Sequence, residues 1–137
     1  MAVVGALTED EYAVRRRSSS GTKGTPEVMR VLVANEPFVY REVISAAFKE
    51  LRPHVEVISA EPRDLDREFS RLVPHLVVCS RVTALVERGA TAWVELYPEH
   101  ASGAVVSLGG EETTSDAMDF DTLLSILDRA ERLYESV

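Results

Sequence analysis

The most informative segment of this chain is Arg30-Val31-Leu32-Val33-Ala34, which is followed directly by Asn35-Glu36-Pro37. An uninterrupted apolar strand of this kind is typical of one covered on both faces, as in a parallel sheet flanked by helices. The apolar period then lengthens to that of one helical face, formed by Val43, Ile44, Ala47, Phe48 and Leu51. The stretch therefore predicts a buried strand followed at once by an amphipathic helix.

The alternation of strands and helices continues to the end of the chain. Four more strands are predicted, at Val55–Ser59, Leu76–Cys79, Ala92–Tyr97 and Ala104–Leu108. One helix is predicted from about Asp64 to Pro74 and a short one around Val82–Arg88. A closing helix is predicted from the stripe Leu123, Leu127, Ala130, Tyr134 and Val137. The element order βαβαβαββα favours an α/β domain.

The connection between the last two strands leaves an alternative open. Residues 98–103 are too few for a full crossover helix, so the strands are either a hairpin or parallel neighbours whose fourth crossover helix is shortened or missing. For residues 29–137 we expect a flavodoxin-like, doubly wound, mostly parallel sheet of five strands in the order 2-1-3-4-5.

Residues 1–28 differ in composition from this domain. Thr8-Glu9-Asp10-Glu11 is a capping-box pattern that indicates a helical turn, and Ser18–Pro26 is rich in residues that break helices. The run Arg15-Arg16-Arg17-Ser18-Ser19-Ser20 is either a basophilic kinase site or a flexible solvated tail, and its biased composition favours the tail. An N-terminal extension with a flexible linker is therefore predicted.

The net charge limits the classes of function. The 137 residues carry a formal charge of −8, and nine acids against two arginines lie from Glu99 onward. A nucleic-acid binder is disfavoured, because affinity for phosphate backbones comes from clustered lysine and arginine. No apolar run approaches the roughly 20 residues of a membrane helix, and the apolar opening Met1–Leu7 lacks the basic start of a signal peptide. A soluble cytoplasmic protein with no membrane partner is expected.

Candidate ligand-binding residues follow the first and third predicted strands. In open α/β sheets, ligands bind beyond the carboxyl ends of the strands, near the point where the strand order reverses. The side chains expected there are Asn35, Glu36, Ser80 and Arg81. Arg81 is expected either to bind an anion or to pair with Glu36, and the pair is favoured because a charge at a sheet edge seeks the nearest partner.

The segment from Val31 to Glu42 resembles the first strand, acidic loop and helix start of response-regulator receiver domains, and the element order agrees over residues 29–137. The resemblance matches Asn35 and Glu36 to the two adjacent acids that hold Mg²⁺ in that family. It matches Ser80 to the aspartate that takes the phosphoryl group. An amide and a hydroxyl thus stand where the family has carboxylates.

The conclusion that the phosphoacceptor aspartate is missing does not depend on how the third strand is aligned with the family. No aspartate occurs between Asp66 and Asp116, and the only lysines, Lys23 and Lys49, precede the position of the family's lysine after the fifth strand. Phosphoryl transfer depends on metal and cationic groups that neutralise developing charge. We therefore expect that the protein is not an enzyme and that it has no catalytic residues, metal site or cofactor.

Two functions remain as expectations. The resemblance implies a pseudo-receiver, a phosphorylation-independent interaction or signalling module with a protein partner of unknown identity. It also implies a homodimer, because receivers commonly associate through their last helix and strands. The alternative is a domain that binds a small ligand or nucleotide at Asn35, Glu36, Ser80 and Arg81.

The other reactive residues favour structural roles. Cys79, the only cysteine, lies in an apolar strand, where a thiol behaves as a small hydrophobic group. The three histidines lack metal-ligand spacing. Gly109-Gly110 indicates a tight turn rather than a phosphate loop, and the acidic stretch Glu111–Asp121 is either a surface for a basic partner or a solvated loop.

Overall fold

A computed structural model describes residues 28–96 and 103–135. The turn predicted at Thr8–Glu11 and the Arg15–Ser20 tail lie outside these residues, as do residues 97–102 and the last two positions. In the part of the chain that is described, none of the helices combines the length and the apolar character of a membrane span.

Six strands and four α-helices are found in the described residues. The strands are β1 (Arg30–Ala34), β2 (Glu56–Ser59), β3 (Leu76–Cys79), β4 (Ala92–Leu96), β5 (Ala104–Leu108) and β6 (Glu111–Ser115). The helices are α1 (Phe38–Leu51), α2 (Leu65–Leu72), α3 (Ala84–Gly89) and α4 (Phe120–Glu135), and a 3₁₀ turn at Pro62–Asp64 precedes α2. The α/β class is confirmed.

The strands form one mixed sheet in the order β2-β1-β3-β4-β5-β6. The strands β1 to β4 pair in parallel, whereas β5 is antiparallel to both β4 and β6. The expected five-stranded, mostly parallel sheet of order 2-1-3-4-5 is therefore wrong in strand number and in the direction of its C-terminal part. The short segment between β4 and β5 explains the difference, because antiparallel strands need only a brief connection and parallel strands need a crossover of about a dozen residues.

Strand β6 is the element that the sequence pattern does not predict. Its residues are all polar, and four of the five are exposed, so it lacks the apolar alternation that indicates a strand. The turn before it explains its formation: Gly109 and Gly110 have φ angles of 60° and 89°, as a two-residue hairpin turn requires. The tight turn predicted at this pair is confirmed, and it places β6 at the edge of the sheet.

Helices cover both faces of the sheet and define two cores. On β1, Val31 and Val33 face the core under α1 and α4, and Leu32 and Ala34 face the core under α2 and α3. The helical residues of the first core include Ile44, Phe48, Leu123, Ile126 and Leu127. Those of the second are Leu65, Phe69 and Val86. This arrangement places the first turns of α1 and α4 on the same side of the sheet.

The buried face of α1 is narrower than its apolar pattern predicts. Ile44 and Phe48 are only 7% and 0% exposed, but Val43 and Leu51 are 59% and 47% exposed. Phe38, in the first turn, is 61% exposed. Helix α1 therefore carries more apolar surface than the core covers, and most of it lies at the N-terminal end.

An ion pair joins the other end of α1 to α4. The guanidinium of Arg52, directly after α1, donates from Nε and Nη2 to the two carboxylate oxygens of Asp128, over 2.8 and 2.9 Å. These hydrogen bonds hold the pKa of Asp128 below its ordinary value. The two helices are thus tied together away from the exposed apolar end of α1.

Helix α2 ends on a strained residue that offers a stabilising substitution. Val73 has a φ of 46° and lies in the left-handed region, which costs a residue with a branched Cβ roughly 1–2 kcal/mol. We expect Val73→Gly to raise the free energy of unfolding by about 0.5–1 kcal/mol, because the greater freedom of glycine in the unfolded chain offsets part of the gain. The Val73 side chain is 68% exposed, so little packing is lost.

The measurement is urea unfolding of the full chain, with Val43→Gly as the control. Val43 is an exposed valine in the interior of α1, where glycine lowers stability by about 0.5 kcal/mol. A loss of stability in both variants would show that the left-handed conformation of Val73 carries no strain.

Candidate functional site

The four residues predicted at the carboxyl edge of the sheet come together. Strands β1 and β3 are parallel neighbours, in register from Val31 opposite Leu76 to Ala34 opposite Cys79. The residues that follow them, Asn35-Glu36 and Ser80-Arg81, therefore share one edge. A hydrogen bond of 2.7 Å from the backbone N–H of Glu36 to Ser80 Oγ connects the two segments directly.

The Ser80 hydroxyl is used within the chain. It accepts from the Glu36 N–H and also donates to the Glu36 carbonyl oxygen over 3.2 Å. These two hydrogen bonds hold the loop after β1 against the end of β3. The arrangement fastens the loop rather than presenting a free nucleophile.

Asn35 lies beside this contact and is fully buried. Its exposed fraction is 0%, and neither its side-chain nitrogen nor its side-chain oxygen has a hydrogen-bond partner. A buried amide without partners is unusual, since about nine in ten buried polar groups are paired. Asn35 is therefore a buried amide of this edge whose side-chain hydrogen bonds are not made within the structure.

The charged side chains of the edge are more exposed. Glu36 and Arg81 are both exposed, and their pairing stays a prediction. Arg41, in the first turns of α1, reaches back to the edge: its Nη1 donates to the Asn35 carbonyl oxygen over 3.4 Å, and its guanidinium lies 4.9 Å from the Phe38 ring centroid. A cation thus lies close to the backbone of the first edge segment.

Glu95 is a member of this edge that the sequence analysis missed. It lies near the end of β4, and its Oε2 accepts a hydrogen bond of 2.9 Å from the backbone N–H of Val82. This contact fixes the loop after Ser80-Arg81 to β4. The available signal was a single carboxylate within the otherwise apolar run Ala92–Leu96.

The histidines and acids of the described residues are the candidate metal ligands. Across residues 28–96 and 103–135, no three His, Cys, Asp or Glu side chains are grouped as metal ligands. Two of the histidines serve other contacts: His75 Nδ1 accepts from the Arg30 N–H over 2.8 Å, and His54 Nε2 lies 3.0 Å from Glu131 Oε2. His100 lies outside the described residues.

Cys79 is buried in the second core, as expected for a structural cysteine. Its Sγ lies 3.7 Å from the Val94 carbonyl oxygen. Burial, with a smaller effect from the negative charge of Glu95, raises the pKa of the thiol to about 12. At neutral pH the thiolate that would act as nucleophile is therefore essentially absent.

We expect the folded chain to resist alkylation. Because Cys79 is the only cysteine, total thiol modification reports on it alone. At pH 8, iodoacetamide should react on the order of 1000-fold more slowly with the folded chain than with the chain in urea, since the ordinary thiol pKa is about 8.5. Intact-mass spectrometry against time measures both rates. Equal rates in the two conditions would show that Cys79 is an accessible, reactive thiol.

A second candidate site lies between the N-terminal halves of α1 and α4. We call it the α1–α4 groove, a cavity of about 320 Å³ lined by Val39, Tyr40, Val43, Ile44, Leu96, Met118, Asp119, Phe120 and Leu123. Among these described residues, Asp119 alone is charged. The sequence signal for it was the apolar run Phe38-Val39-Tyr40, which falls outside the predicted inward stripe of α1.

Asp119 is the acidic residue in the described lining of the groove. Asp119 Oδ1 accepts a hydrogen bond of 2.8 Å from the Thr122 N–H, as helix-capping residues do, and this bond lowers the pKa of Asp119. Asp116 and Asp121 are exposed on the same segment, and Glu42 is exposed on α1. The two segments that line this apolar cavity, residues 38–44 and 116–123, thus contain more acidic than basic side chains.

The sequence matches no protein-family model and has no significant match among curated proteins.

Proposed function

We propose that this chain is a degenerate receiver-like domain of the cytoplasm that needs no phosphorylation and acts through contacts with proteins. The observation that carries the proposal is the apolar surface at the start of α1, where Phe38, Val39 and Val43 are 61%, 57% and 59% exposed. Contiguous exposed apolar side chains of this size are typical of interaction surfaces.

The polar edge of the sheet supports the part of the proposal that excludes phosphorylation. An uncharged Asn35 and Ser80 occupy the positions that the resemblance matches to a metal-binding acid and the phosphoacceptor. The Ser80 hydroxyl is engaged by both backbone polar groups of Glu36. Without the carboxylates and the lysine, a phosphoryl group would have neither an acceptor nor enough positive charge to stabilise its transfer.

The experiment is treatment of the full chain with acetyl phosphate and Mg²⁺, followed by intact-mass spectrometry. We expect no gain of a phosphoryl group, whereas a receiver with a complete acidic site, used as the positive control, should gain one. A stoichiometric, Mg²⁺-dependent adduct on this chain would overturn the proposal.

Affinity capture tests the other part of the proposal, that the chain acts through contacts with proteins. It compares the wild-type chain with a double variant of the exposed surface and with a control variant. Proteins captured by the wild-type chain should be lost with Val39→Ser/Val43→Ser and retained with Leu51→Ser, which alters an exposed apolar residue at the far end of α1. Self-association, the homodimer that receivers suggest, is measured on the same proteins by sedimentation. Equal capture by all three chains would contradict a role for this surface.

The unpartnered amide of Asn35 favours a second candidate, the binding of a small ligand or nucleotide at Asn35, Glu36, Ser80 and Arg81. A ligand that binds only the folded state raises its melting temperature. A thermal-shift screen of nucleotides and small anions tests this candidate. Stabilisation that Asn35→Leu abolishes would support it, and a screen without stabilisation would remove it.

A further inference from the structure

The α1–α4 groove continues into exposed apolar surface on its α1 side. Val39 and Val43 line the cavity and are still more than half exposed, and Phe38, one residue before, is 61% exposed. The opposite wall is formed by Phe120 and Leu123 of α4. An occupant can therefore contact the cavity and the adjoining helix surface together.

The lining distinguishes between two classes of occupant. Sites for small polar molecules combine apolar walls with several convergent polar groups that fix orientation. In the described lining, Asp119 is the sole charged group, and its carboxylate already caps α4. A cavity so poor in polar partners is better suited to the apolar side chains of a peptide, which bury surface without needing specific hydrogen bonds.

The net charge of the two segments that form the groove indicates which residues should flank the apolar side chains of that peptide. The two segments that form it, residues 38–44 and 116–123, contain the acids Glu42, Asp116, Asp119 and Asp121 against the single cation Arg41. The guanidinium of Arg41 lies against the Phe38 ring and the Asn35 carbonyl. The net negative charge of these two segments favours encounter with a positively charged partner and disfavours an acidic one.

We infer that the α1–α4 groove binds a segment of a partner protein that inserts adjacent apolar side chains between α1 and α4 and carries lysine or arginine on its flanks. This inference rests on the proposed function as an interaction module and names the surface and the chemistry of the partner.

The experiment is selection of peptides from a random display library on the full chain, followed by affinity measurement with the selected peptides. Peptides with two or three large apolar residues flanked by lysine or arginine should be enriched. Their affinity should fall about tenfold or more on Val39→Ser/Val43→Ser, which removes the apolar wall. It should remain unchanged on Leu51→Ser, a matched change at the other end of the same helix.

A charge-reversed pair tests the contribution of this net charge to binding. Glu42→Lys/Asp121→Lys should weaken the selected peptides severalfold and reduce the dependence of binding on salt, because screening acts on the attraction that is removed. Glu50→Lys, an exposed acid two turns further along α1, should leave binding unchanged. Urea unfolding of each variant confirms that it is folded.

Enrichment of acid-flanked peptides, or of peptides indifferent to Val39→Ser/Val43→Ser, would overturn this inference and leave the proposed function standing. A phosphoryl adduct in the acetyl phosphate experiment would overturn the proposed function instead. If a synthetic peptide of residues 1–27 displaced every selected peptide, the occupant would be this chain's own amino-terminal segment, and the partner-segment inference would fail.

Discussion

We expect Phe48→Ala to lower the free energy of unfolding by roughly 3–5 kcal/mol. The Phe48 side chain is fully buried, and its ring centroid lies 5.8 Å from that of Phe120. The ring therefore fills the space between α1, the sheet and the start of α4, and its removal leaves a cavity in the first core. Urea or thermal unfolding of the full chain measures the loss.

Phe38→Ala is the matched control, because it removes the same side chain from the same helix. Phe38 is 61% exposed and contacts the guanidinium of Arg41, an exposed interaction of about 0.5–1 kcal/mol at most. The control should therefore change stability by less than about 1 kcal/mol. Similar losses in the two variants would contradict the packing of α1 described above.

We expect Asn35→Asp to destabilise the chain at neutral pH by roughly 3–5 kcal/mol, the effect of an uncompensated buried charge. The site is fully buried and offers the Asn35 side chain no hydrogen-bond partner. Burial raises the pKa of the introduced carboxyl in the folded state above its unfolded value of about 4. The folded form therefore binds the proton more tightly than the unfolded form.

The sign of the pH dependence follows from that difference. Relative to wild type, the variant should lose little stability below pH about 4 and progressively more as the pH rises through the raised pKa. Unfolding curves of both chains between pH 4 and 8 measure the difference. Asn35→Leu replaces the amide, with its two unpaired atoms, by an apolar side chain of similar volume. It should leave the free energy of unfolding nearly unchanged or raise it.

Asn35→Asp also tests the chemistry of the edge, because it places a second acid beside Glu36. If Mg²⁺ strongly stabilised the variant but not the wild type, this edge would accommodate a metal site. Such a result would contradict the closed arrangement in which the Ser80 hydroxyl binds the Glu36 backbone.

The predictable parts of the candidate site are those that follow from chain order. Asn35-Glu36 and Ser80-Arg81 each come directly after an apolar strand, and neighbouring parallel strands end at one edge. Their juxtaposition could therefore be expected before any contact was known. The partner of Ser80 could not, because a hydroxyl accepts and donates with many groups, and the choice of the Glu36 backbone depends on the loop path after β1.

Glu95 and the α1–α4 groove depend on packing between elements distant in sequence. The Glu95 carboxylate acquires its role only when β4 lies beside β3 and the Val82 N–H points toward it. Val43 fits the apolar stripe of α1, yet it is 59% exposed, because the sheet and α4 cover only the side that carries Ile44 and Phe48. No local sequence pattern indicates where the buried side of α1 ends and its exposed side begins.

Periodicity, glycine conformation and residue identity are local properties. From them the sequence predicts the α/β class, the buried strands β1 and β3 and the turn at Gly109-Gly110, and it shows that no aspartate lies between Asp66 and Asp116. Four features are seen only in the tertiary structure: the direction of β5, the edge strand β6, the hydrogen bonds between Ser80 and Glu36, and the exposed apolar end of α1. Each of these depends on which distant segments come into contact, and the energy of such contacts is not encoded in any single stretch of the chain.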